Sequence, residues 1–141
     1  MKVLWWLVRL VALGVVGLAT LWTASISVGY MNLTMTLWSL QEQAGLAMDY
    51  PLAPGDTAMV TMRDGELVKQ RGGRVFITRK VDGDRFVTFD RGGGHLGHQG
   101  YVYAPYADDD AQVHQDAFGG FEGREVSHLY GSWWCYDSTE N

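Results

Sequence analysis

No charged residue occurs between Leu10 and Gln41, and that stretch constrains the molecule more than any other. Its first part, LVALGVVGLATLWTASISVGY, is long and apolar enough for a helix to cross a bilayer, which takes about 20 residues. Everything after it is Gly-rich, acidic and patterned like β-strands. The expected architecture is mainly β. A single N-terminal transmembrane helix is followed by a small antiparallel β-sheet domain with at most one short helix. Residues 1–47 are expected to form a membrane anchor and helical stem, and residues 48–141 an exported β-rich domain.

Charge gives the orientation. Lys2 and Arg9 precede the apolar run, and the chain beyond it carries nine basic and sixteen acidic residues, a net of −7. The positive-inside rule then places the N-terminus in the cytoplasm and the domain outside. Trp5 and Trp6 fit one interface and Tyr30 the other, while Arg9 fits if the span starts near Leu10 or its side chain snorkels. A cleaved signal peptide is the competing reading, with Ser25-Ile-Ser27 as a small-x-small cleavage site. The uncharged run continues well past that site, which favours the anchor. The acidic balance argues against nucleic acid, whose binding needs Lys and Arg to displace counterions. Cys135 is the only cysteine, so the domain has no internal disulfide, and the thiol reads as a small buried hydrophobe.

Along the chain, Leu33, Leu37, Leu40 and Ala44 follow a helical stripe that extends the anchor into a stem until Gly45. MDYPLAPGD is a turn cluster that opens the domain. TAMVTM reads as a strand, followed by an Asp64-Gly65 turn. GRVFITRKV and DRFVTFD flank Asp82-Gly83, a strong hairpin signal that sets Val75, Ile77 and Val81 on one face. RGGGHLGHQG reads as a loop, GYVYAPY as a strand, ADDDAQVHQD as an acidic loop and DAFGGFEG as a Gly-punctuated turn. One or two helical turns are expected over Glu125–Tyr130, then a last strand, SWWCYD, and a frayed tail, STEN.

No motif carries a reaction, and none implies a cofactor. Gly92-x-Gly94-x-x-Gly97 matches a dinucleotide fingerprint as a string but leads into a strand pattern instead of a helix. His95 and His98 could share a metal with His114, His128 or the acids Asp108, Asp109 and Asp110, yet the flexible glycines preorganise nothing and no zinc or calcium signature is present. The alternative to a non-enzymatic function is a membrane-anchored Ser–Lys hydrolase like the signal peptidases. Ser25 or Ser27 would be activated by Lys80, although the Ser-Met-x-Pro box of that family is missing from SISVGYM.

The order of signals resembles the GDYXXLXY-domain family of small membrane-anchored bacterial proteins. The name-motif falls on GDTAMVTM, where Gly55 and Asp56 match, while Thr57, Val60 and Met62 replace a tyrosine, a leucine and a tyrosine. Downstream, GGRVFITRKVDGDRFVTFDR resembles the family's hairpin and DAFGGFEGREVSHLYGSWWCYD its C-terminal turn and strand. The resemblance covers about Asp49 to Asp137. It implies a membrane-anchored protein associated with multi-spanning membrane proteins and transfers no catalytic residue. Gly55 and Asp56 also have a sufficient structural explanation as a turn into a strand.

The expected function is therefore an accessory or interaction protein, a small subunit or partner of another integral membrane protein. Gly14, Gly17 and Ala24 give the span a small-residue face for close helix approach. Tyr101, Tyr103, Tyr106, Trp133 and Trp134 are expected to form an exposed aromatic interface on the domain.

Overall fold

The computed structural model describes residues 2–92, 98–119 and 124–138. The chain divides into two compact units, Met1–Gln41 and Glu42–Asn141. Helix α1 runs over Lys2–Met48 without interruption. At 1.5 Å per residue its 47 residues extend about 70 Å, more than twice the roughly 30 Å of a bilayer's hydrocarbon core.

The first unit is the part of this helix up to Gln41, and between Val11 and Ile26 the side chains it exposes are mostly apolar. Leu18, Leu21 and Trp22 are each at least 70% exposed. The stretch Val11–Met48 is long and apolar enough to cross a membrane, and its most apolar window buries nothing inside the protein. Several hydroxyls within it are satisfied locally. Thr20, Thr23 and Ser27 donate to carbonyls one turn earlier at 2.8–3.0 Å, so they offer lipid no unmet donor.

Gly45 does not stop the helix, contrary to its reading from sequence. Helix α1 continues to Met48 because Ala44 and Ala47 are fully buried on the far turn. The break comes at Pro51, which disfavours helical backbone at the residue before it. Two arginines then receive the emerging chain. Arg85 donates through Nη1 to the carbonyls of Met48 and Tyr50, both at 2.6 Å, and Arg79 donates to Leu52 at 2.9 Å.

The second unit is built on a seven-stranded antiparallel sheet. Strands β1 (Thr57–Arg63) and β2 (Glu66–Lys69) form a hairpin through Asp64-Gly65, and β3 (Val75–Arg79) and β4 (Arg85–Asp90) form the expected one across Asp82-Gly83. Val81 lies in that turn, 85% exposed, not on the face of Val75 and Ile77, because the strand ends two residues before it. Strand β5 (Gln99–Tyr103) follows, then helix α2 (Asp110–Phe118), and the hairpin of β6 (Arg124–Tyr130) and β7 (Trp133–Ser138). The spatial order is β2-β1-β3-β4-β5-β7-β6. The protein is thus one long apolar helix followed by a mainly β unit with one short helix.

Two segments differ from expectation. The acidic run is not a loop. Asp109 sits in extended backbone and its Oδ1 accepts from the Gln112 amide at 2.7 Å, while Gln112 Oε1 accepts from the Asp108 amide at 3.0 Å. This reciprocal capping starts α2, and Gly119 ends it in the left-handed conformation, φ 63°, with its amide on the Gln115 carbonyl. Glu125–Tyr130 is not helical. It is a strand because β7 offers it a ladder of backbone partners from Arg124↔Ser138 onward, and those bonds outweigh a weak local helix preference.

Cross-strand register defines the two faces. On one, Ala58, Ile77, Val87, Tyr103 and Trp133 form a continuous row, with Val60, Val75, Phe89 and Tyr101 beside it. The Trp133 ring lies 5.0 Å from Tyr103 and 5.7 Å from Phe89. On the other face Phe86, Val102, Trp134 and Tyr136 pack with Val113 of α2. The expected exposed aromatic interface is therefore not one. Tyr101, Trp133 and Trp134 are buried, and Tyr103 and Tyr106 half-buried, because burying each such ring removes up to about 3 kcal/mol of exposed apolar surface.

Candidate functional site

Helix α2 has nine residues and covers only the β5–β7–β6 part of its sheet face, so a groove opens where it runs out. Across β1, β3 and β4 the alternation on that face supplies Thr57, Thr78, Phe76, Thr88 and Asp90. These residues and Phe86 form a floor, with α2 on one flank and the end of β6 beyond it. The groove holds about 430 Å³ and is half open to solvent.

Each part of its lining has a local cause. Thr57 and Thr78 are cross-strand partners whose hydroxyls lie 3.1 Å apart. Thr88 is 8% exposed, the one buried polar residue of the described core. Asp90 ends β4; its Oδ1 accepts from the Gly92 amide at 2.7 Å, and its Oδ2 faces His98 Nδ1 at 3.4 Å. Tyr136 crosses the floor because its strand neighbour is Gly100. A Cβ at that glycine would collide with the Phe89 carbonyl and the Tyr136 ring, so only glycine leaves room for the tyrosine. Arg124 lies at the far end, its guanidinium stacked 4.7 Å from the Phe118 ring centre.

Asp116 forms the helix-side wall and is held firmly. Its Oδ2 accepts from Lys80 Nζ at 3.1 Å and from the Tyr106 hydroxyl at 2.9 Å, and Lys80 also approaches Asp82 at 3.4 Å. The Asp116 hydrogen bond and charge raise the Lys80 pKa against an opposing burial effect. Burial and then Asp116 push Tyr106 far above the ordinary phenol value. Burial pushes Tyr136 up to about 12. The groove therefore offers the Asp116 carboxyl group, a neutral Tyr136 and the Arg124 guanidinium around aromatic faces. Among the described residues it presents no activated nucleophile.

Most of the residues singled out from sequence lie elsewhere. Gly55, at φ 86°, donates its amide to the Arg79 carbonyl at 2.8 Å, and the Asp56 carbonyl accepts from the Arg79 amide at 3.0 Å. Both are exposed and work through their backbone at the entry to β1. Gly94, His95 and Gly97 lie outside the described residues. His98 is at the groove, His114 stacks on Phe118 at 6.4 Å, and His128 packs edge-on to Trp134 at 5.1 Å. Among the described residues no three potential ligands converge on a metal position. Asp109 is spent as the α2 cap. Ser27 donates to its own helix, and Lys80 is held protonated by Asp116, whereas a Ser–Lys base requires a lowered amine pKa. Burial raises the Cys135 thiol pKa, and its Sγ donates to the Ser127 carbonyl at 3.5 Å.

Sequence reading missed the groove because strands and a helix far apart in the chain assemble it. The one local signal was Asp109-x-x-Gln112, which betrays α2 and hence a partly covered sheet face. Compared with protein-family models, with curated proteins and with solved structures, the chain matches none. The GDYXXLXY resemblance rests on the residues quoted for it.

Proposed function

We propose that this chain is a single-pass protein of the bacterial cytoplasmic membrane, an accessory subunit or partner of another integral membrane protein. Its N-terminus faces the cytoplasm and its acidic β domain lies outside. One observation carries the reading: between Val11 and Ile26 α1 exposes mostly apolar side chains while several of its hydroxyls bond to their own backbone, the surface a helix needs where lipid is the solvent. Lys2 and Arg9 before the apolar run support the orientation. Gly14 and Gly17 have open space where a Cβ would stand, which lets a second helix approach closely. The GDYXXLXY resemblance implies the same kind of partner.

The test is a pull-down of the full-length protein in gentle detergent, with mass spectrometry of what accompanies it. A stoichiometric integral membrane protein that is lost when Gly14 and Gly17 are both replaced by Leu is the expected result. A clean monomer overturns the accessory reading.

A further inference from the structure

The groove beside α2 contains a charged group that has no ion-pair partner among the described residues. The Arg124 guanidinium is sandwiched against Phe118 and Tyr136, at 4.7 and 5.8 Å from the ring centres. Its Nε is buried and has no hydrogen-bond partner among the described residues. No carboxylate among them pairs with it either. A stacked guanidinium whose buried Nε has no partner among the described residues is a ready donor to a ligand carboxylate.

The opposite end of the same groove carries Asp90. Register puts Asp90 on β4 and Arg124 on β6, with β5 and β7 between and a two-residue offset along the strands, so their backbones stand roughly 16 Å apart. They face one cavity without reaching each other. Tyr136 lies between them: after burial, Asp90 is the next influence raising its pKa, and Arg124 pulls it down. The third charge, Asp116, is already neutralised by Lys80.

Asp90 already holds the Gly92 amide on Oδ1 and faces His98 Nδ1 across Oδ2, so an approaching ammonium would share that carboxylate, while a ligand without an anionic group would leave Arg124 unanswered. We propose that the groove binds a small zwitterion with an apolar body, a free α-amino acid or short peptide with a bulky apolar side chain. The carboxylate pairs with Arg124, the ammonium points to Asp90, and the side chain lies on Phe76 and Phe86. Thr57, Thr78 and Thr88 supply hydroxyls along the floor. A volume of about 430 Å³ lies within the range of small-molecule sites. This inference is independent of whether α1 has a membrane partner.

The experiment is titration calorimetry on the full-length protein in detergent with L-phenylalanine, N-acetyl-L-phenylalanine and L-phenylalaninamide as probes. The zwitterion is expected to bind, and each singly charged derivative to bind at least about tenfold more weakly. R124M should erase the preference for L-phenylalanine over its amide, and R124K should restore part of it. D90N should erase the preference over the N-acetyl compound. Absence of heat from L-phenylalanine at about 10 mM, or equal binding of all three probes to the unaltered protein, overturns the proposal. These two readouts need no variant, so they decide even if R124M fails to fold.

Discussion

The two faces of the sheet use the same strands for opposite ends. On the face away from α2, the rows Ala58–Ile77–Val87 and Val60–Val75–Phe89 are aliphatic or aromatic at every step. On the α2 face the neighbouring rows read Thr57–Thr78–Phe86 and Met59–Phe76–Thr88. The first pattern has one solution, close packing. The second mixes hydroxyls with rings, which costs stability if fully buried and becomes useful when a short helix leaves it half open. The difference separates the residues that hold the domain together from those free to meet a ligand.

That division can be broken most directly by truncating adjacent β3 residues. Ile77→Ala, at a fully buried position, should cost about 2–5 kcal/mol. Phe76→Ala, on the groove floor, should cost less than half as much despite removing a larger side chain. Denaturant unfolding of the full-length protein in detergent measures both, and equal losses would erase the distinction. Alkali probes the buried part of the α2 face. Tyr136 is neutral in folded and unfolded chains below pH 10; between its ordinary value and about 12 only the unfolded chain releases the proton. Stability should therefore fall as pH rises through that window, by up to about 3 kcal/mol. Tyr106 and Lys80, also shifted upward, act in the same direction, so Tyr136→Phe should lessen the decline without abolishing it. A pH-independent midpoint in the wild-type protein would contradict the burial of Tyr136.

Smaller effects sharpen the picture. Asp109→Ala removes the α2 cap and should cost about 1 kcal/mol, whereas Asp110→Ala should cost less than about half of that. Equal effects would mean that the triplet acts as a charge cluster. Val81→Ser, in the exposed β3–β4 turn, should change stability by no more than about 0.5 kcal/mol. Thermal unfolding monitored by near-ultraviolet circular dichroism resolves both comparisons.

What was legible in the sequence follows the same physics. The β3–β4 hairpin was plain because Asp82-Gly83 and period-2 alternation agree. The long helix was plain because 32 consecutive uncharged residues leave few alternatives. Strand β2 has four residues, too few to display a period, and it was missed. Helix α2 was hidden by its acidity, since Asp108, Asp109 and Asp110 resemble a solvated loop unless Gln112 is recognised as the other half of a cap. Composition points the aromatic residues to an interface because it cannot tell that Trp133 and Trp134, facing opposite ways, are both covered. Arg124 and Asp90 are 34 positions apart, and nothing in local spacing brings them to one cavity.

The junction between α1 and β1 has a mechanical consequence. By composition MDYPLAPGD is a slack hinge, yet its carbonyls are gripped by Arg85 and Arg79, and Gly55 and Asp56 are bonded to the Arg79 backbone. Pulling on this segment would load those charge-assisted bonds at the base of the β3–β4 hairpin first, so the entry to the second unit is pinned to its sheet by two guanidinium groups.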